Sequence, residues 1–276
     1  MKRIITAIVM IAVFIPVLLF SDTLLFPIVI SIMGAVAAFE ILYIRKLHRK
    51  IYLLIPSVLL AVACPLVSGT DWFKVFTSRS YNFLIIAFPV YLMYMLFIGV
   101  ACNRKVSFND IIYTIVSVSY VSFAMFTIPF IRAGSPYNYL LLIICPCVAD
   151  IFALYGGSKF GKKKLCPAVS PKKTLAGFMF GLLGGAVGAA LFNVAIMFII
   201  DSEFNILKVI AGVGIAFAGQ YGDLIASMMK RSSDAKDFGN IFPGHGGIMD
   251  RFDSIFSSFI CAFLCLMISK VVFSFA

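Results

Sequence analysis

Charge is scarce in this chain. Only 13% of its 276 residues are Asp, Glu, Lys or Arg, whereas 62% are hydrophobic and the mean hydropathy is +1.05. A soluble domain carries about a quarter charged residues, so an ordinary soluble fold is excluded. Strict apolar–polar alternation is also missing, which excludes an outer-membrane barrel. No loop is long enough to fold alone, and no sequence repeat appears. The paired broken segments expected of an inverted-repeat transporter are absent as well. Histidine occurs twice, and the seven cysteines show no metal-ligand spacing with it. Cys64, Cys145, Cys147, Cys261 and Cys265 lie in apolar runs and read as small buried hydrophobes. The first apolar stretch follows Lys2 and Arg3 but lacks a small-x-small cleavage site, so it reads as an uncleaved helix.

What the chain has instead is a series of continuous apolar runs, each near the ~20 residues that cross a hydrocarbon core. Nine are predicted, at 4–20, 24–44, 51–67, 81–101, 111–131, 137–156, 175–200, 206–226 and 254–275. The expectation is an all-α polytopic membrane protein, a single integral membrane domain over 1–276. Its N-terminal helices would occupy 1–136, and its catalytic helices and loops 137–276. With the N-terminus cytoplasmic, eighteen of the 23 bases fall on the inner side, leaving Lys74, Arg79, Arg132, Lys208 and Lys270 outside. That bias follows the positive-inside rule. It accounts for the net charge of +11 without a nucleic-acid partner.

Three polar residues in or near spans stand out. Glu40, near the inner end of the second span, reads as an interfacial carboxylate paired with Arg45. Arg132 reads as an anchor at the outer interface. Asp150 lies well inside the sixth span, where a carboxylate is costly and marks function or a functional partner. The sixth loop then carries six lysines and no acid between Gly156 and Thr174. One reading is a lipid-headgroup anchor. The sharper one is a phosphate site at a helix start, because Ser170-Pro171-Lys172-Lys173-Thr174 supplies a capping hydroxyl and precedes glycine-rich helix. The glycines at 177, 181, 184, 185 and 188 also offer a close-packing face, with a homodimer as one possible use.

The densest polar stretch runs from Gln220 to Ser254. It holds Asp223, Asp234, Asp237, Asp250 and Asp253 with Lys230, Arg231, Lys236, Arg251 and His245. A loop that merely sat on anionic lipid would be one-signed, whereas here acids and bases balance. Helices on either side bring Asp223 and Asp250 to the same membrane face. Asp250 and Asp253 share a helix face at i, i+3, as Asp223 and Ser227 do at i, i+4. Hard cations such as Mg²⁺ take one or two carboxylates plus substrate phosphates, and the bases add phosphate contacts. The glycines of Pro243-Gly244-His245-Gly246-Gly247 permit unusual backbone angles and close approach to a ligand. The arrangement suits phosphoryl or nucleotidyl transfer.

The run from Ser227 through Lys230, Arg231, Lys236, Asp237, Gly239, Phe242 and the PGHGG segment to Asp250, Arg251, Asp253 and Ser254 resembles the signature of the phosphatidate cytidylyltransferases, or CDP-diacylglycerol synthases. Gly222-Asp223-Leu224, the segment from Asp150 to Gly161, and Ser170 to Thr174 also resemble that family. Ile151 to Leu154 and Leu175-Ala176 depart from it. The resemblance implies that phosphatidic acid attacks the α-phosphorus of CTP at the bilayer surface, giving CDP-diacylglycerol and pyrophosphate. It assigns Mg²⁺, with two metal ions expected, to Asp223 and Asp250. Lys230, Arg231, Lys236 and Arg251 would neutralise phosphate, and His245 would orient a phosphate or metal-bound water. Asp237 and Asp253 join the catalytic set. Ser170, Lys172, Lys173, Thr174, Ser227, Gly244, Gly246 and Gly247 are the expected substrate-binding residues. The expected place is the inner membrane with the site facing the cytoplasm. A related CTP-dependent polyprenol kinase and an anion transporter are the rival readings.

Overall fold

The computed structural model describes residues 2–69, 80–102, 105–201, 203–242, 244 and 246–274. Among these, nine long helices follow the predicted spans: α1 (Lys2–Leu19), α2 (Leu25–Ile44), α3 (Ile51–Gly69), α4 (Ser80–Ala101), α5 (Phe108–Gly134), α6 (Leu141–Phe160), α7 (Leu175–Ile200), α8 (Ile206–Arg231) and α9 (Met249–Ser274). Within the described residues, α2 to α9 are each long and apolar enough to cross a membrane. The chain is thus an all-α polytopic membrane protein. Among the described residues the long helices are supplemented by two short 3-10 turns, Leu47–Arg49 and Asn138–Leu140, and by a short antiparallel hairpin, β1 (Lys164–Cys166) with β2 (Ser170–Thr174), in the lysine-rich sixth loop. Apolar periodicity gives no sign of so short a polar pair.

The chain divides into two compact units, Met1–Gly134 with Ser232–Arg251, and Ser135–Arg231 with Phe252–Ala276. In the first, α2, α3 and α5 pack on one another. Ala37, Ile41, Leu53, Ala61, Val118, Val121 and Met125 are buried there. Proline inside α3 does not break it. Pro56 lacks the N–H that would bond the carbonyl four residues back, and the Tyr94 hydroxyl donates to that carbonyl, Tyr52 O, at 3.1 Å. Gly34 lets α2 and α3 meet closely, since a Cβ there would lie 2.6 Å from Ala61 O. Arg132 is held by a 3.2 Å bond from its Nε to Ser21 Oγ.

In the second unit α7 packs against both α6 and α8. Its glycines are consumed within the chain. A Cβ on Gly184 would come 2.7 Å from Phe152 Cβ, and one on Gly185 would come 2.3 Å from Ala216 Cβ and 2.5 Å from Gly212 O. The close-packing face read from the sequence therefore joins neighbouring helices of one chain. Gly185→Ala is expected to lower thermal stability in detergent by about 1–3 kcal/mol through overpacking. Gly214, with nothing within 4 Å of its would-be Cβ, is the control: Gly214→Ala is expected to leave stability unchanged or raise it, as alanine favours helix.

Candidate functional site

The second unit holds an open cleft of about 540 Å³ at the junction of α6, the hairpin, α7 and α8. The local sequence explains its shape. Thr174 ends β2 and is the N-cap of α7, its hydroxyl accepting from Gly177 N–H at 3.1 Å. Gly157 on α6 and Gly177 on α7 lack side chains where they pass Thr174, which lies 3.0 and 3.1 Å from their would-be Cβ atoms. The capping expected of the SPKKT run is therefore real. Lys172 and Lys173 of β2 and Lys164 of β1 line the cavity. Ser170 is half-buried at the start of the strand.

Opposite these lysines stand Asp150 from α6 and Asp223 from α8, both lining the same cavity. Lys173 Nζ lies 2.7 Å from Asp223 Oδ2 and donates to Gln220 O at 3.1 Å. Ser227 Oγ donates to Asp223 Oδ1 at 3.4 Å, the i, i+4 contact expected on α8. Asp150 interacts electrostatically with both Asp223 and Lys173. One lysine of the basic loop is thus an ion-pair partner inside the unit, beyond any role as a lipid anchor. In the segment that departs from the family pattern, Leu154 forms part of the cavity wall, beside Ala153.

Asp253, buried on α9, belongs to this electrostatic group through Asp223, Lys230 and Asp150. Its Oδ1 accepts from Ser254 N–H at 2.7 Å. Gly222 permits the approach of α8 to α9, since a Cβ there would lie 2.5 Å from Asp253 O. Lys230 is also buried, so its charge is directed inward. Arg231, at the end of α8, is exposed.

The remainder of the signature, 232–251, belongs to the first unit. Lys236, Asp237 and Arg251 are exposed there. Phe242 N–H donates to Gly246 O at 2.9 Å, closing a tight turn. Gly244 and Gly246 have φ of 79° and 85°, the left-handed region where a side chain is strained. Gly247 serves close approach instead: a Cβ there would meet the Glu40 carboxylate at 2.2 Å. Both uses expected of the glycines occur, at different positions. His245 and Pro243 lie outside the described residues.

Asp250 is engaged with backbone. Its Oδ2 accepts from Phe238 N–H at 2.7 Å and from Gly247 N–H at 3.0 Å. Glu40 departs from its expected role. Arg45 pairs with Asp110 at 3.6 Å and lies over the Tyr113 ring, 4.4 Å from its centroid. The Glu40 carboxylate instead receives Ile248 N–H and Met249 N–H, each at 3.0 Å. Helix α9 begins at this point, and its first N–H groups have no partner within the helix. A buried carboxylate supplied by α2 accepts from Met249 at that start and from Ile248 just before it.

A polytopic membrane protein with acids, lysines and a capped helix start around one cavity is equipped to handle phosphorylated substrate. The chain belongs to the cytidylyltransferase family, whose model matches residues 1–269. It is 31% identical over 272 residues to the phosphatidate cytidylyltransferase of Bacillus subtilis (strain 168), covering 97% of each chain. The similarly named protein of Staphylococcus haemolyticus (strain JCSC1435) is 30% identical over 260 residues, 91% of this chain and 93% of the relative. That of Rickettsia bellii (strain RML369-C) is 35% identical over 176 residues, 59% of this chain and 75% of the relative.

Proposed function

We propose that this chain is a nucleotidyltransferase that joins CTP to phosphatidic acid, releasing CDP-diacylglycerol and pyrophosphate. Family membership and the names of its relatives support the reaction. The observation that carries the site is the Lys173–Asp223 pair at 2.7 Å in the wall of the cavity. An ammonium and a carboxylate held together in a cavity wall suit a phosphate and its counter-ion.

A phosphatidate oxygen attacks the α-phosphorus of CTP. A new P–O bond forms, the bond from the α-phosphorus to the bridging oxygen breaks, and pyrophosphate leaves. The nucleophile is already an anion, so the chain need supply no strong base. Lys164, Lys172 and Lys173 bind phosphate charge from the hairpin side, and the capped start of α7 orients it. Lys230, Arg231, Lys236 and Arg251 are assigned the same task from the signature, and the orienting role of His245 remains part of the proposal.

The chemistry of the donors fits Mg²⁺. Asp223 already faces a cation in Lys173, and Asp150 and Asp253 interact with it electrostatically. Among the described residues no three acids, histidines or cysteines form a ready-made cage. Mg²⁺ is characteristically held by one or two carboxylates, with phosphate oxygens and water completing the shell. Asp223 and Asp250 are assigned as the holders of Mg²⁺, with a second ion expected. When bound, the metal neutralises charge on the reacting phosphates. The inner membrane, with the site on the cytoplasmic face, is the location the basic-loop bias supports.

Reconstituted protein supplied with CTP, phosphatidic acid and Mg²⁺ is expected to form CDP-diacylglycerol and pyrophosphate in equal amounts. Folded protein giving neither product would end this reading. Lys173→Gln is expected to raise KM for CTP or phosphatidic acid by about tenfold to a hundredfold, the worth of a charge-assisted hydrogen bond. Steady-state kinetics with each substrate varied in turn would identify which phosphate Lys173 meets. Unchanged KM for both would remove it from the site.

A further inference from the structure

We propose that Glu40, on α2 and far outside the signature in sequence, is the positioning residue of the signature loop, because its carboxylate receives the N–H groups of Ile248 and Met249 where α9 begins. The bonds from Ile248 and Met249 are both 3.0 Å long and span 208 and 209 positions of sequence. Glu40 is 2% exposed, so its oxygens cannot trade these donors for bulk water.

The surrounding sequence is shaped to admit this carboxylate. A Cβ on Gly239 would lie 2.7 Å from Glu40 Oε1, and one on Gly247 would lie 2.2 Å from the same atom. Two glycines of the loop therefore leave the room that Glu40 fills. Asp250 repeats the pattern one step inward, receiving Phe238 and Gly247 N–H groups. The two acids together bind four backbone donors between 238 and 249. The other end of the loop is tied to the same helix end, since Arg45 Nη2 donates to Ser232 O at 3.4 Å. Arg45, just past the end of α2, thus bonds the loop at its entry, and Glu40 within α2 bonds it at its exit.

The consequence concerns Asp250. Its carboxylate direction is fixed by the amides of Phe238 and Gly247, and the adjoining backbone is fixed by Glu40. Loss of Glu40 leaves two buried N–H groups without an acceptor, which is costly, and frees the turn to shift. A shift of about 1 Å at a reacting group can cost a hundredfold in rate. Glu40 acts through the loop and touches no reacting atom.

The test is Glu40→Gln, measured by amide hydrogen exchange in detergent and by steady-state kinetics. Glutamine keeps one of the two acceptor oxygens, so exchange at one of 248 and 249 is expected to quicken by about tenfold or more, with the mid-helix amides of α2 and α5 unchanged. The kinetic arm rests on the cytidylyl-transfer reading: kcat is expected to fall by about tenfold to a hundredfold, with KM for CTP within about threefold of wild type. A double-mutant cycle guards against a variant that simply folds badly. Gly247→Ala alone collides with the Glu40 carboxylate, whereas combined with Glu40→Ser it is expected to cost less than the two single effects added. Unchanged exchange at 248 and 249 in Glu40→Gln, or strict additivity in the cycle, would overturn the proposal. So would quickened exchange with unchanged kcat in an active enzyme. An inactive wild-type protein would instead sink the reaction reading and leave the exchange arm intact.

Discussion

Asp223→Asn is expected to lower kcat about a thousandfold or more while the helices stay folded. Electrostatic groups aimed at charge that develops on phosphorus are each worth about 10²–10³ in rate, and a carboxylate assigned to hold a metal brings that ion's contribution with it. Asparagine keeps the size of aspartate, so the Ser227 contact at 3.4 Å has an oxygen to meet. What it removes is the charge facing Lys173 Nζ at 2.7 Å. Steady-state assays over a range of Mg²⁺ concentrations should show residual activity that needs far more metal than wild type. A thermal melt near that of wild type would attribute the loss to chemistry. A variant with near-wild-type kcat and Mg²⁺ dependence would remove Asp223 from the metal site.

The second large effect is expected at Asp250, where two substitutions separate two duties. Asp250→Asn removes charge but keeps an oxygen that can accept from the Phe238 or Gly247 amide. Asp250→Ala removes both acceptor contacts, which measure 2.7 and 3.0 Å. Each buried donor left unmatched costs about 1–3 kcal/mol. Both variants should lose at least about a hundredfold in kcat. Only the alanine variant should also show rapid proteolysis or exchange within 238–249. Equal loop protection in the two would separate Asp250 from the folding of the turn. Full activity in the asparagine variant would exclude a role for its charge.

Much of this organisation is legible in the sequence because it is local. Runs of about twenty apolar residues mark helices without reference to anything distant, and helices occur at each of the nine predicted positions. The cap at Thr174 and the left-handed angles at Gly244 and Gly246 are equally local, set by neighbours within three or four residues. Long-range pairings are another matter. No periodicity links Glu40 to Ile248, and Arg45, five positions from Glu40, made a nearby ion pair the simpler expectation. Nothing about a run of six lysines says that Lys173 in particular turns inward to Asp223. The signal that was available is scarcity: Glu40 is one of two glutamates in the chain, set in an apolar helix. A costly group in such a place asks for a partner, and the partner was backbone.

The glycines of α7 illustrate a related limit. Small residues on one helix face state that something packs closely there, but not whether it is another chain or the next helix. Here Phe152, Ala216 and Gly212 occupy that face. The β1–β2 hairpin escaped notice for a different reason. Its strands are three and five residues long and rich in lysine, so they carry none of the apolar alternation that marks a buried strand.

The measurement that reaches the central claim most directly follows the fate of two labels in parallel. CTP labelled at the α-phosphorus, and CTP labelled at the γ-phosphorus, are each incubated with the purified protein, phosphatidic acid and Mg²⁺, and the lipid is extracted. Cytidylyl transfer predicts that the α-label enters the lipid as CDP-diacylglycerol, while the γ-label stays in the water phase as pyrophosphate. Appearance of the γ-label in the lipid would mean phosphoryl transfer by a CTP-dependent kinase. That result would contradict the assignment of this chain as a phosphatidate cytidylyltransferase.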